Sequence, residues 1–234
     1  MTDLSYIDRN VDAVKEKIEK AARAAGRDPE EITLLAAVKY AEPAEIQRLY
    51  DCGIRVVGEN RVQQFTEHLE VDGYDRFGVH FIGTLQTNKV KYLVGKVDVI
   101  ESVDSERLAA EIDRISKRNG VVTDVLCEIN SGREPNKSGV MPEDAEELCE
   151  KISDFSNLRL RGFMTMAPLG STSDEYRKYF RETCRLSLDI WQKRVHNIKE
   201  GPMLSMGMSQ SFEEAILEGA NVVRVGRGLF EKGN

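Results

Sequence analysis

A chain of 234 residues can form one large domain or two small ones, and 41% hydrophobic with 31% charged residues suits a soluble, enzyme-like body rather than a disordered chain. A net charge of −7 argues against a nucleic-acid partner, because duplex contacts need clustered Lys and Arg. The longest clean apolar run, Ile32 to Val38, is too short to cross a bilayer, and the polar opening MTDLSYIDRN holds no secretory apolar segment, so the expected setting is the cytoplasm with no membrane partner.

In chain order, the spacing of apolar residues predicts an amphipathic helix over roughly Leu4 to Ala25, closed by Gly26. Strand-like and helix-like segments then alternate. The β-branched apolar runs are ITLLAAV from Ile32, IRVV from Ile54, VHFI from Val79, VDVI from Val97, VVTDVLCEI from Val121, LRLRGFMTM from Leu158, MLS from Met203 and NVVRV from Asn221. Between them stand segments such as EIQRLYDCG, RVQQFTEHL and AAEIDRISKRNG, apolar at every third or fourth position. Thr172-x-x-Glu175 and Ser211-x-x-Glu214 read as capping boxes, Pro43 and Pro142 suit first helical turns, and Tyr176, Tyr179 and Phe180 read as core. Eight strands, each but the last followed by a helix, fit a closed barrel or an open doubly wound sheet. Eight repeats in about 200 residues, with no Pro- or Ser-rich linker, favour an α/β fold of the (β/α)8 TIM barrel type with an extra N-terminal helix, one domain across 1–234.

Cys52, Cys127, Cys149 and Cys184 are scattered without a C-x-x-C pair and read as free thiols. His68, His80 and His196 form no ligand pair at helical spacing, so no metal is expected.

In such barrels ligand chemistry sits on loops at the carboxyl ends of the strands. There fall Lys39, Glu59 and Asn60, the stretch Gly83 to Lys89, Asn130, Thr165, Ser205 to Ser211, and Arg224 to Gly228. Lys39 ends the apolar strand ITLLAAVK. It reads either as a lysine reaching to solvent or as a desolvated amine, whose lowered pKa leaves it free to form an imine with an aldehyde. In SMGMSQSFEEAI, from Ser205, a strand enters a Gly- and Ser-rich turn ahead of a helix. That is either an ordinary capped start or a phosphate site, with Gly207, Ser209 and VRVGRG from Val223 facing one small anion. Gly207 to Ser211 lacks the second Gly of a nucleophile elbow, and no completing His follows it. Gly226-x-Gly228 stands too near the end to open a dinucleotide-binding unit.

Six ordered motifs carry a family resemblance: AVKY around Lys39, GENRVQ from Gly58, HFIGTLQTNK from His80, GFMTMAP from Gly162, LSMGMS from Leu204 and VRVG from Val223. Together they resemble the pyridoxal phosphate homeostasis proteins, single-domain relatives of the alanine racemase barrel. The resemblance implies that Lys39 carries the cofactor aldehyde as a Schiff base. It implies that Ser209 and the backbone of Gly226 and Arg227 hold the phosphate, in the same turn as Ser205 and Gly207. Arg224 is implied to face the pyridine nitrogen, and Asn60 and Met206 to line the ring pocket. The tail departs from the family pattern at Arg227, Gly228 and Glu231.

The function so implied is a carrier or regulator of pyridoxal phosphate without strong activity of its own, expected as a monomer and serving pyridoxal phosphate-dependent apoenzymes. An amino-acid racemase and a cofactor-free Schiff-base aldolase are the rivals. Racemisation needs a base on each face of the substrate. In the related racemases the second base is a tyrosine from a β-rich domain of a partner subunit. With the sequence ending at Asn234, ten residues past Arg224, racemisation is expected to be absent or slow.

Overall fold

The structure, a computed structural model, describes residues 3–194 and 201–232. Helix α1, Ser5–Ala24, opens it, and its buried positions Ile7, Val11, Val14 and Ile18 recur every three or four residues. Burying each such side chain contributes about 1.5–3 kcal/mol. The chain leaves α1 through Gly26 at φ +70°, where Gly26 N–H donates to Arg23 O and Arg27 N–H to Ala22 O, satisfying the last carbonyls.

Eight strands follow among the described residues: β1 Thr33–Ala37, β2 Val56–Glu59, β3 Gly78–Phe81, β4 Val99–Val103, β5 Thr123–Ile129, β6 Leu158–Thr165, β7 Met203–Ser205 and β8 Val222–Val225. They pair in parallel, in sequence order, and β8 closes onto β1. The barrel expected from the repeat count is therefore the fold, and the open sheet is excluded. Strands β2 and β4 start two residues later than the apolar runs suggest. The amides of Ile54 and Val97 are bonded back to Leu49 O and Leu93 O, in the turns that precede those strands.

The outer layer comprises α2 Pro43–Asp51, α3 Val62–His68, α4 Glu106–Asn119, α5 Ala145–Asp154, α6 Ser173–Arg194, α7 Phe212–Leu217 and α8 Arg227–Phe230. The strict strand–helix alternation needs two corrections. A short 3₁₀ helix, Thr87–Tyr92, follows β3 in place of an α-helix, with Val90 its buried residue, and β8 is followed by the short α8. Asn10 Nδ2 reaches Leu229 O at 3.1 Å and Glu231 O at 2.9 Å, fastening α1 to the α8 region. Pro43 and Pro142 stand in first helical turns, and Tyr176 stacks on Phe180 at 6.1 Å in the core. Thr172 and Glu175 form their capping box, with Thr172 N–H on Glu175 Oε2 at 2.7 Å.

Alternate strand residues face the lumen. Leu35, Ile82 and Val222 form one inner apolar group and Val99, Leu126 and Met164 another, with Met203 against both. The opposite phase, including Ala36, Val57, Phe81, Val125, Phe163 and Val223, packs under the helices. Beyond this apolar floor the inward positions become polar: His80, Glu101, Glu128, Ser205 and Arg224 are all buried. No described helix is long and apolar enough to cross a membrane. Among the described residues no three His, Cys, Asp or Glu side chains are grouped to hold a metal ion, and all four cysteines are free; His196 lies outside the described residues.

Candidate functional site

Inward residues of β1 run Leu35, Ala37 and, in the turn just past the strand, Lys39. Lys39 is half-buried and makes no salt bridge with a described residue; its Nζ lies 5.2 Å from the centre of the Tyr40 ring, a cation–π contact at the mouth. Its carbonyl accepts from Gln64 Nε2, which ties the β1 turn to α3. A plain surface lysine needs no such tether, so the backbone at Lys39 is fixed while its amine is left available.

The register pairs Leu35 with Arg224 and Ala36 with Val225, so Ala37 and Gly226 adjoin and Lys39 shares the rim with the start of α8. Across the next strand the chain turns at Gly207, φ +86°, where an added Cβ would come within 2.6 Å of Ala215 Cβ. Ser209 Oγ accepts from Gly226 N–H at 3.3 Å. Having accepted there, the Ser209 hydroxyl keeps its own proton for an incoming acceptor. Arg227 is exposed, and its amide opens α8 without a partner in that helix.

The capping box expected from Ser211 and Glu214 is not formed. Ser211 Oγ accepts from Met208 N–H at 3.2 Å, closing the turn on itself, and Glu214 Oε1 accepts from Ser173 Oγ at 2.8 Å. Local competition for the serine hydroxyl decides the outcome.

Arg224 lies in the lumen, 4% exposed. Its Nη1 donates to Ser205 O and Ser205 Oγ, both at 2.6 Å, and its Nη2 to Thr165 O at 2.8 Å. Ser205 Oγ in turn donates to Glu101 Oε2 at 2.6 Å, and His80 Nδ1–H donates to Glu101 Oε1 at 2.6 Å. Burial opposes ionisation of Glu101, yet the bonds from His80 and Ser205 and the nearby charges hold its carboxyl below the usual range. Burial also lowers the pKa of Arg224, with Glu101 and Glu128 opposing that shift. Glu128 is pushed up to about 7, first by burial and then by Asp104, with Arg224 opposing.

The structure thus brings Lys39, Gly226, Arg227, Ser209, Gly207, Ser205 and Arg224 to one end of the barrel. Asn60 sits at that end too, its Oδ1 buried without a hydrogen-bond partner, as is Gln64 Oε1. Met206 differs from the expectation of a ring-lining side chain: it belongs to the outer core, and its amide donates to Val222 O. A cleft of about 310 Å³ adjoins the rim, lined by Ala37, Tyr40, Glu42, Gly226, Arg227 and Phe230 among others. Sequence reasoning missed the polar lumen of His80, Glu101 and Glu128. A signal was present, since an acid within VDVIESV and a histidine within VHFI stand on otherwise apolar strands.

The alanine racemase N-terminal domain family model matches residues 4–232. A pyridoxal phosphate homeostasis protein of Aquifex aeolicus is 45% identical over 217 residues, covering 93% of this chain and 94% of its own. That of Escherichia coli K12 is 32% identical over 235 residues, covering 98% and 97%. The structure of PipY from Synechococcus elongatus with pyridoxal phosphate bound superposes with a TM-score of 0.78 at 31% identity, over 92% of this chain and 100% of PipY. With a lysine in the turn just past β1, a buried arginine on β8 and these likenesses across nearly its whole length, the chain belongs to the pyridoxal phosphate homeostasis proteins, a branch of the alanine racemase N-terminal domain family.

Proposed function

We propose that the chain holds pyridoxal phosphate at this end of the barrel and thereby limits the free aldehyde, acting as a carrier for apoenzymes rather than as a vigorous catalyst. The observation that carries the reading is the β1–β8 register, which sets Ala37 beside Gly226, so that a half-buried Lys39 with no salt bridge to a described residue shares the rim with Gly226 and Ser209. The donor set suits a phosphorylated aldehyde in two further ways. Ser209 retains a free hydroxyl proton beside the unpartnered Arg227 amide, and the close approach of Gly207 to α7 shapes a turn that no larger residue could make.

When bound, pyridoxal phosphate supplies an electrophilic aldehyde on an electron-withdrawing ring. Lys39 would supply the amine that holds the aldehyde. Ser209 and the Arg227 amide would hold the phosphate by charge-assisted hydrogen bonds, with Gly226 N–H orienting the Ser209 hydroxyl towards it. Arg224 would present its cation to the ring nitrogen, and Asn60 would offer its unpartnered amide oxygen. The most buried lumen carboxylate is bonded in place rather than free to move a proton. Glu101 is shared by His80 and Ser205, which argues for holding over turnover.

After pyridoxal phosphate is added and unbound cofactor is removed by gel filtration, the protein should keep a visible absorption band that borohydride removes, while a panel of L-amino acids should show no rapid turnover. A colourless protein fraction would reject the cofactor, and rapid D-amino acid formation would make the protein a racemase.

A further inference from the structure

Ser205 has a hydroxyl whose bonding direction is fixed by its neighbours. A guanidinium can only donate, so Ser205 Oγ must accept from Arg224 Nη1, and an ionised carboxylate can only accept, so the same hydroxyl must donate to Glu101 Oε2. The other Glu101 oxygen then takes the His80 Nδ1 proton. Arginine, serine, carboxylate and imidazole form one directional chain across β8, β7, β4 and β3, and no donor in it faces another donor. Glu101 is 0% exposed, and Arg224 Nη1 stands 4.0 Å from its Oε2. Each of these charges is therefore compensated by the other rather than by water.

We propose that Glu101 is a positioning residue for the cofactor site: through Ser205 it fixes the Arg224 guanidinium in the lumen and supplies its counter-charge, with His80 as the buttress behind it. This rests on the reading that Arg224 faces the cofactor ring. The other charged groups around Glu101 are Arg224 on β8 and Glu128 on β5, with Asp104 beside Glu128 just past β4. Of these carboxylates Glu101 is the one bonded through Ser205 to Arg224. Removing that anion leaves the lumen one unit more positive. An added positive charge disfavours protonation of the Lys39-linked cofactor, so the effect reaches the chromophore without Glu101 touching it.

The test is a pH titration of the visible absorption of the cofactor-loaded protein, with ring-nitrogen NMR of His80 in the cofactor-free protein alongside. In Glu101→Gln the chromophore should titrate at least about half a unit lower than in the parent, the scale of one neighbouring charge. The His80 proton should leave Nδ1, because the new amide presents a donor or a weaker acceptor. Glu101→Asp, which restores the charge, should bring the chromophore pKa back towards the parent value. Ser205→Ala keeps both charges and cuts the bridge. It should weaken cofactor binding at least about threefold, and it serves as the second arm if Glu101→Gln fails to fold. An unchanged chromophore pKa in Glu101→Gln together with unchanged binding in Ser205→Ala would overturn the proposal while leaving the cofactor reading intact. Absence of any chromophore in the parent protein would remove that reading first, and the proposal with it.

Discussion

Gly226 N–H donates to Ser209 Oγ at 3.3 Å, joining the end of β8 to the turn after β7. The bond orients the serine so that its proton points away from Gly226. If that proton serves a phosphate, the cofactor should bind at least about tenfold more tightly than pyridoxal, since charge-assisted hydrogen bonds contribute about 1.5–3 kcal/mol each. Ser209→Ala should narrow the gap. Equal affinity of the parent protein for the two aldehydes, measured by absorption titration, would reject the anion site.

Gly207 holds φ +86°, and an added Cβ would stand 2.6 Å from Ala215 Cβ and 2.8 Å from Phe212 Cα. Gly207→Ala therefore combines left-handed backbone strain with overpacking against α7, together about 2–4 kcal/mol. In a chain of this size that lowers Tm by at least about 4 °C. A calorimetric scan within a degree of the parent would show that the turn relaxes freely.

Glu128 gives a pH dependence whose sign is opposite to that of most carboxylates. Its pKa is raised from 4.5 to about 7 in the folded state. Between those values the folded protein binds more protons than the unfolded chain, so this contribution to stability is full below 4.5, falls as pH rises, and is gone above about 7. The shift corresponds to on the order of 3 kcal/mol. Glu128→Gln should melt several degrees above the parent at pH 8 and match it near pH 4.5. Glu101, held low, works the other way: its contribution is present above its ordinary pKa and is lost as acid protonates it. A Glu128→Gln difference that does not change with pH would contradict the assignment.

Behind β2, Glu59 is 0% exposed and takes Tyr74 O–H and His68 Nδ1–H on one oxygen, each at 2.6 Å, while its second oxygen has no partner. Tyr74→Phe leaves this buried carboxylate with one donor fewer. The expected loss is about 1–3 kcal/mol in denaturant unfolding, because an under-bonded buried charge bears its desolvation uncompensated. A change below about 0.5 kcal/mol would show that water reaches Glu59.

How far the sequence reveals this site depends on how local each signal is. Lys39 is legible because a charged residue closing ITLLAAV breaks an apolar pattern within a few positions. Ser209 and Gly226 are legible because turn chemistry and family motifs are written in consecutive residues. Glu101 is hidden because β4 carries a register irregularity between Ile100 and Val103, so inward and outward phases cannot be counted through it. Met206 misleads for the converse reason. It neighbours true lumen residues in the chain but, just past β7, packs into the main apolar core. Ser211 fits a capping template whose competitor, the Met208 amide three residues back, is invisible until the turn closes.

The most direct test of the proposed function is covalent mapping of the cofactor. Protein loaded with pyridoxal phosphate is reduced with borohydride, digested, and its peptides are weighed by mass spectrometry. The expected result is a pyridoxyl group on Lys39 alone, one per chain. Stoichiometric label on Lys89 or Lys137, with the Lys39 peptide unmodified, would contradict it.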